Sequence, residues 1–337
     1  MRFMRCCSDR RNDMSDLDYI YAVARIRVKE KLLLSDEDIR RMSEMKDCRE
    51  ILQFLSDRGW GDGSPPEDDG VQILEAEEKK TADLMKELKA DPGIFRVLSY
   101  PRLYHNLKAG IRELCTTDHP DHLYYDIEGF GKEEIRRILR EKDYGALPEH
   151  MRKPAQRALE TMIRTQNGQK CDLIIDRGCL DACGRAGRRS KNRLLKDYEE
   201  SSVAVTDIKI AVRAQRTGKD LEFLKEALSP CSTLNIDILA AAAVSGEASL
   251  NDYLNSHGFA EACEALKDSP SAFECWCDNR IIEAILPQKR NSVSAGPLIA
   301  YYLARENEIR MVRILLTAKA NGFSVENIRK RIRKMYG

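Results

Sequence analysis

The sequence Glu308-Ile309-Arg310-Met311-Val312-Arg313 lies within the last forty residues of the chain, which are typical of two consecutive helices. Pro297 suits the first turn of a helix, where a missing N–H costs nothing. Asn321-Gly322 predicts the end of that helix, because glycine readily adopts the left-handed conformation of a C-cap. Ser324 suits the N-cap of a second helix. Apolar residues recur at Leu298, Ile309, Val312, Leu316 and Ala320 in the first helix, and at Val325, Ile328, Ile332 and Met335 in the second.

A related phrase occurs twice upstream. Asn106-Leu107-Lys108 is followed by Ile111-Arg112, and Asp207-Ile208-Lys209 is followed by Val212-Arg213. The cations Lys108, Lys209 and Arg310 stand 101 residues apart, twice over. A looser copy with Arg25 and Arg27 opens the chain. The interval exceeds that of the common solenoid repeats and predicts three copies of one domain-sized unit. The alternative is chance, because aliphatic–cation pairs are frequent in helical proteins.

The composition favours an all-α protein. The chain has 337 residues, of which 33% are charged and 7% aromatic, with a formal net charge of +1. Alternating runs rich in Val and Thr, typical of strands, are almost absent. The balanced charge favours neither nucleic acid nor a membrane surface as a partner. The longest apolar run, Ile238 to Val244, is far shorter than the ~20 residues of a membrane-spanning helix.

The repeat predicts the domain organisation. Residues 1–13 are expected to form a disordered extension. The predicted units are 14–105, 106–206 and 207–306, followed by closing helices at 307–337. An exposed loop is predicted at Gly59–Gly70, where glycines, prolines and acidic residues cluster.

The motifs of common enzymes are missing. The chain has no phosphate-binding Gly-x₄-Gly-Lys-Ser/Thr and no His-Glu-x-x-His or Gly-x-Ser-x-Gly sequence. Its eleven cysteines contain no Cys-x-x-Cys pair, which favours free thiols in a reducing compartment. We therefore expect no catalytic, cofactor-binding or metal-binding residues, and no ATP binding.

Two clusters support alternative functions. Asp118, His119, Asp121 and His122 could bind a divalent metal in a hydrolase, or form a polar turn between helices. Arg185, Arg188, Arg189, Lys191 and Arg193 could contact nucleic acid, or form a solvated helix face. A helical nucleic-acid-binding or scaffold protein is thus the main alternative to the interpretation that follows.

The repeated phrase also resembles a known family, the C subunit of bacterial and archaeal V-type/A-type rotary ATPases, whose eukaryotic counterpart is the d subunit. The resembling segments are 21–27, 32–34, 106–108, 172–176, 207–209, 297–301, 308–310 and 322–329. They span nearly the whole chain from Asp18 onward. Two departures are His105-Asn106, in place of an acidic approach, and Asp207, where the family often has a fuller Asp-x-x-Asn-Ile-Lys.

The resemblance implies an architecture and a role. It implies three similar helical domains around a pseudo-three-fold axis, forming a funnel. Such a protein, present once per complex, seats the central-shaft D and F subunits on the membrane rotor ring and carries torque without catalysis. It would be cytoplasmic and peripheral on the inner face of the membrane, with no nucleic-acid partner and no cofactor. Candidate residues for the shaft or ring interface, or for anchoring one unit to the next, are Arg25, Arg27, Lys108, Arg112, Lys209, Arg213, Arg310 and Arg313.

Overall fold

The computed structural model describes residues 16–64, 70–115 and 124–337, and these residues form helices and no strand. The helices in the first half of the chain are α1 (Asp16–Glu30), α2 (Asp36–Glu44), α3 (Cys48–Asp57), α4 (Val71–Glu87), α5 (Pro92–Leu98), α6 (Tyr100–Cys115), α7 (Lys132–Glu141), α8 (Glu149–Thr165) and α9 (Gly168–Arg189). Those in the second half are α10 (Arg193–Arg216), α11 (Leu221–Ala227), α12 (Ile236–Ser245), α13 (Glu247–Ser256), α14 (Ala260–Asp268), α15 (Pro270–Ile285), α16 (Gly296–Ala320) and α17 (Val325–Arg329). The predicted all-α class is confirmed. None of the helices in the described residues has the length and apolar character needed to cross a bilayer.

The chain divides into two compact units. The end unit combines Met1–Gly93 with Ile285–Gly337, and the central unit comprises Ile94–Ala284. Both ends of the sequence therefore contribute to one folded body. The finer division into units 14–105, 106–206 and 207–306 with closing helices stays a prediction, and residues 1–13 lie outside the described part of the chain.

Local capping accounts for several helix boundaries, including those that the sequence predicts at Pro297, Gly322 and Ser324. Ser35 accepts from the backbone N–H of Asp38, whose carboxylate accepts in return from the Ser35 backbone, which completes a capping box before α2. Pro297 lies in the first turn of α16, and Gly322 follows that helix with φ of +68°. Ser324 caps α17 through the N–H of Asn327, at 3.3 Å.

The final helix is shorter than the sequence predicts. Its apolar spacing predicts a helix that reaches Met335, but α17 ends at Arg329. The tail beyond it is held by tertiary contacts instead, because the Met335 N–H donates to Asp36 at 2.8 Å and Tyr336 is buried. Spacing alone did not distinguish a second helical turn from a tail that packs into the core.

Each long helix carrying the repeated phrase belongs to a cluster of buried apolar residues. In the central unit, one cluster joins α6 to α7, α8 and α9, and another joins α10 to α11–α15. In the end unit, a cluster joins α16 to α2, α3, α4 and α17. The third cluster therefore combines α2, α3 and α4 from the beginning of the sequence with α16 and α17 from its end.

Candidate functional site

The three copies of the repeated phrase lie on three long helices, α6, α10 and α16, which we call the repeat helices. The central aliphatic residue of each copy, Leu107, Ile208 or Ile309, is buried in the apolar cluster of its own helix. Residues that stand 101 positions apart thus have the same role in packing. The central aliphatic residue is buried in all three copies, at the same interval of 101 residues. This agreement argues against chance as the origin of the repeat.

The polar residue just before each of these aliphatic residues is also buried and bonds to backbone. Asn106 accepts from the N–H of Tyr125, and Asp207 from the N–H of Ser229, at 2.8 and 3.0 Å. Glu308 accepts from the N–H of Leu34. In each case the bonded segment leads into shorter helices of the same apolar cluster: α7, α12 and α2, respectively. The three buried polar residues therefore fix equivalent chain segments against the repeat helices.

The candidate cations of α6 pair with carboxylates of α9. The Lys108 Nζ atom lies 2.5 Å from an Asp176 oxygen. One turn further on, Arg112 pairs with Asp172 through two nitrogens, with its Nε 3.2 Å from Oδ1. Two ion pairs one turn apart hold α6 against α9.

The candidate cations of α10 pair with carboxylates of α15 in the same manner. Lys209 lies 2.8 Å from Glu274 and 3.9 Å from Asp278, and Arg213 lies 2.7 Å from Glu274. Burial alone would raise the pKa of the Glu274 carboxyl, but the bonds from Lys209 and Arg213 outweigh it and hold the pKa below its ordinary value. Glu274 is thus a charged bridge between the two cations of its repeat helix.

The remaining candidates lie in the end unit. Arg313 of α16 pairs with Glu78 of α4 at 3.3 Å, and Arg310 is exposed on the same helix. Arg25 pairs with Glu87, also of α4, at 2.8 Å. Arg27 donates to the backbone carbonyls of Gln288 and Asn291, both at 2.6 Å, and pairs with Glu30. These cations connect helices and segments inside the unit, and their role toward a shaft or ring stays a prediction.

A buried charge cluster joins α16 to α4, although no motif in the sequence indicates it. Arg305 pairs with both Glu308 of its own helix and Glu77 of α4, and their side chains are only 7%, 1% and 5% exposed. The Arg305 guanidinium also lies over the ring of Trp60, 4.9 Å from its centroid. Burial raises the pKa of Glu308, while Arg305 opposes that rise. The repeated phrase identifies Glu308, but nothing local marks Glu77, 228 positions away from Arg305.

Two observations concern possible metal and small-molecule sites. Among the described residues, no group of three His, Cys, Asp or Glu side chains could hold a metal ion. The candidate cluster Asp118–His122 lies outside the described residues. A cavity between α10 and α15, lined by Lys209, Thr206 and Arg280 among others, measures about 120 Å³. This is smaller than the ~300–1,000 Å³ of typical small-molecule sites.

Comparison with known proteins gives one consistent result. The family model for the ATP synthase (C/AC39) subunit matches residues 22–331. A relative, the C subunit of the V-type sodium ATPase of Enterococcus hirae, is 22% identical over 267 residues, which cover 78% of this chain and 81% of that protein.

The family match extends from within α1 to the end of α17 and includes all three repeat helices with their buried polar residues and ion pairs. It excludes the alternative of a scaffold or nucleic-acid-binding protein unrelated to rotary ATPases. The chain therefore belongs to the ATP synthase (C/AC39) subunit family, and it is a structural rather than a catalytic part of a V-type rotary ATPase.

Proposed function

We propose that this chain is the central-stalk adaptor of its rotary ATPase. It seats a shaft made of the D and F subunits on the membrane rotor ring, and it transmits torque for ATP-coupled transport of protons or sodium ions. The family membership supports a place in the complex. The relative from Enterococcus hirae belongs to a sodium ATPase, which leaves both ions open for this chain.

The observation that carries the proposal is the repeated junction between a repeat helix and a neighbouring helix. The cations Lys108, Lys209 and Arg313 pair with carboxylates of α9, α15 and α4, respectively. A part that transmits torque has to resist shear between its helices. Ion pairs fixed over a buried aliphatic seam resist such sliding, because movement would separate charges and expose apolar surface.

The same observations support an architecture of three similar units. We propose that the third copy is assembled from both ends of the chain, since α16 shares an apolar cluster with α2, α3 and α4. The funnel around a pseudo-three-fold axis is the arrangement that the family resemblance implies. A closed set of copies would leave no terminal unit loosely attached, which suits a rotor part.

The proposal includes the partners and the location. The chain contacts the D and F subunits on one side and the rotor ring on the other, and it is present once per complex on the cytoplasmic face of the membrane. It binds neither nucleic acid nor ATP. Its interface candidates are the exposed portions of the cations already described, of which Arg213 and Arg313 are 70% and 49% exposed.

The experiment is an assembly assay with the purified chain, a D–F complex and detergent-solubilised rotor ring. We expect the chain to bind each partner separately and to bridge them in a single particle. Native mass spectrometry of the whole ATPase should find one copy. Failure of the chain to bind either D–F or the ring would overturn the adaptor role.

A further inference from the structure

Asp207 is a buried carboxyl group in which only one of the two oxygens has a hydrogen-bond partner among the described residues. Its side chain has no exposed surface. The Oδ1 atom accepts from the Ser229 N–H at 3.0 Å, whereas Oδ2 is buried and has no hydrogen-bond partner among the described residues. An ionised carboxylate in this setting would leave an unpaired charge in an apolar environment, which is far more costly than a neutral group.

The equivalent position in the preceding copy carries a neutral side chain. Asn106 accepts from the Tyr125 N–H through Oδ1, and its Nδ2 donates to the carbonyls of Tyr125 and Phe130 at 2.8 and 3.0 Å. An amide and a protonated carboxyl group have nearly the same shape and the same lack of charge. Asn106 therefore shows, within this chain, what an uncharged group does at this position.

The charged groups that face Asp207 do not neutralise it. Arg177 of α9 is 2.9 Å from Asp181 of the same helix and is thus already paired. Asp181 and Glu200 both disfavour a second negative charge, and a negative Asp207 would in turn raise the pKa of the Cys231 thiol. Burial raises the pKa of Asp207 to about 7, the Ser229 N–H and Arg177 lower it, and the two carboxylates add to the rise.

We propose that Asp207 is protonated and uncharged in the folded protein, and that its ionisation at higher pH releases residues 228–235 from α10. The proton passes to solvent. The Ser229 N–H still bonds to the charged group, but Oδ2 has no partner among the described residues, so the carboxylate gains hydration only when residues 228–235 open. This device is independent of the adaptor role. It would make the junction between α11 and α12 a pH-sensitive segment of the central unit.

The direction of the pH effect follows from linkage. The Asp207 pKa is higher in the folded chain than in the unfolded chain, where it is near the ordinary 3.8. Between about pH 4 and pH 7 the folded state holds a proton that the unfolded state has lost, so stability falls as pH rises through this window. The folded-to-unfolded ratio falls by up to about tenfold per pH unit from this group.

Hydrogen–deuterium exchange of the full chain tests the local prediction. After correction for intrinsic exchange, peptides covering 228–235 should lose protection between pH 5 and pH 7 in the native chain, by up to about tenfold per unit, and should change little above pH 7. Asp207→Asn should abolish this pH dependence. Glu199→Gln is the matched control, because Glu199 is another carboxyl of α10 whose pKa burial raises to about 7, next to Cys183. It should leave the exchange of 228–235 unchanged.

A second variant places a carboxyl group at the equivalent position of the preceding copy. Asn106→Asp should introduce a pH-dependent loss of protection at residues 124–131, which the native chain lacks, and it carries the test if Asp207→Asn does not fold. Carboxyl-carbon NMR of the native chain, with the Asp207 signal assigned by its loss in Asp207→Asn, should show a midpoint near 7. A midpoint near 4, identical exchange profiles for native and Asp207→Asn chains, or an Asn106→Asp chain without new pH dependence would overturn the proposal.

Discussion

The backbone N–H of Leu34 donates a hydrogen bond to the Glu308 carboxylate, although 274 positions separate the two residues in the sequence. Glu308 stands 101 positions after Asp207, which accepts from Ser229 only 22 positions downstream of itself. The segment that follows a repeat helix in the central unit is thus supplied, in the end unit, by the beginning of the chain. Residues from both ends of the sequence therefore form this part of the end unit.

Loss of Arg305 should destabilise the end unit strongly. Arg305→Met leaves Glu77 and Glu308 buried without the guanidinium between them, which costs about 3–5 kcal/mol. Arg313→Met is the matched control on the same helix, because the Arg313 side chain is 49% exposed and its ion pair with Glu78 contributes at most about 1 kcal/mol. Urea unfolding of the purified chain measures both. Equal losses in the two variants would contradict the role given to the buried cluster.

The central unit should lose stability in mild acid through His150. Burial, with a contribution from Arg185, lowers the pKa of His150 to about 4, while the Tyr100 ring packs 4.1 Å from it. Between about pH 6.5 and pH 4, His150 binds a proton in the unfolded chain but not in the folded chain. The free energy of unfolding therefore falls by on the order of 1–2 kcal/mol as the pH is lowered through this window. His150→Gln should flatten this part of the stability profile. If the unfolding free energy of His150→Gln falls between pH 6.5 and pH 4 as much as that of the native chain, another group is responsible.

Close helix packing in the central unit should depend on Gly110. A Cβ at this position would lie 2.6 Å from Ile135 and 2.9 Å from Leu139, both on α7. Gly110→Ala should therefore cost about 1–3 kcal/mol of unfolding free energy despite the better helix propensity of alanine. At Gly168, in the first turn of α9, a Cβ meets nothing within 4 Å, so Gly168→Ala should change stability by about 0.5 kcal/mol or less. Thermal unfolding of the two variants provides the comparison.

Local signals in the sequence were sufficient for much of the fold. The cap at Ser324 depends on a residue three positions away, and the helix start at Pro297 depends on the proline itself, so the sequence predicts both directly. The end of α17 could not be predicted in this way. There, the tail residue Met335 follows helical spacing but bonds to Asp36, 299 positions away.

In the candidate site, the cations could be predicted from the sequence but their acidic partners could not. The cations Lys108 and Lys209 are predictable from the sequence, because each belongs to a short phrase that recurs after 101 residues. Their partners Asp176 and Glu274 are not, since they lie on other helices of a chain that carries 55 acidic residues. Which carboxylate meets which cation depends on how antiparallel helices pack, and that information is tertiary.

Charge reversal at a repeated junction should reduce coupling in the assembled ATPase. Lys209→Glu places a third carboxylate beside Glu274 and Asp278, at a cost of about 1–3 kcal/mol for the contact between α10 and α15. We expect ATP hydrolysis to persist while ion transport per ATP falls. Arg313→Glu tests the junction between α16 and α4, where Arg313 pairs with Glu78.

Lys209→Arg is the control for that experiment, because it keeps the charge and should retain coupling. Unchanged transport per ATP in both reversal variants would mean that these junctions do not carry torque.

The most direct test of the adaptor role is the ratio of ions transported to ATP hydrolysed in vesicles that contain the complex with and without this chain. The account predicts that complexes lacking the chain still hydrolyse ATP but do not transport ions, and that adding the purified chain restores transport. Transport per ATP that is the same without the chain as with it would contradict the claim that this protein carries torque between the shaft and the ring.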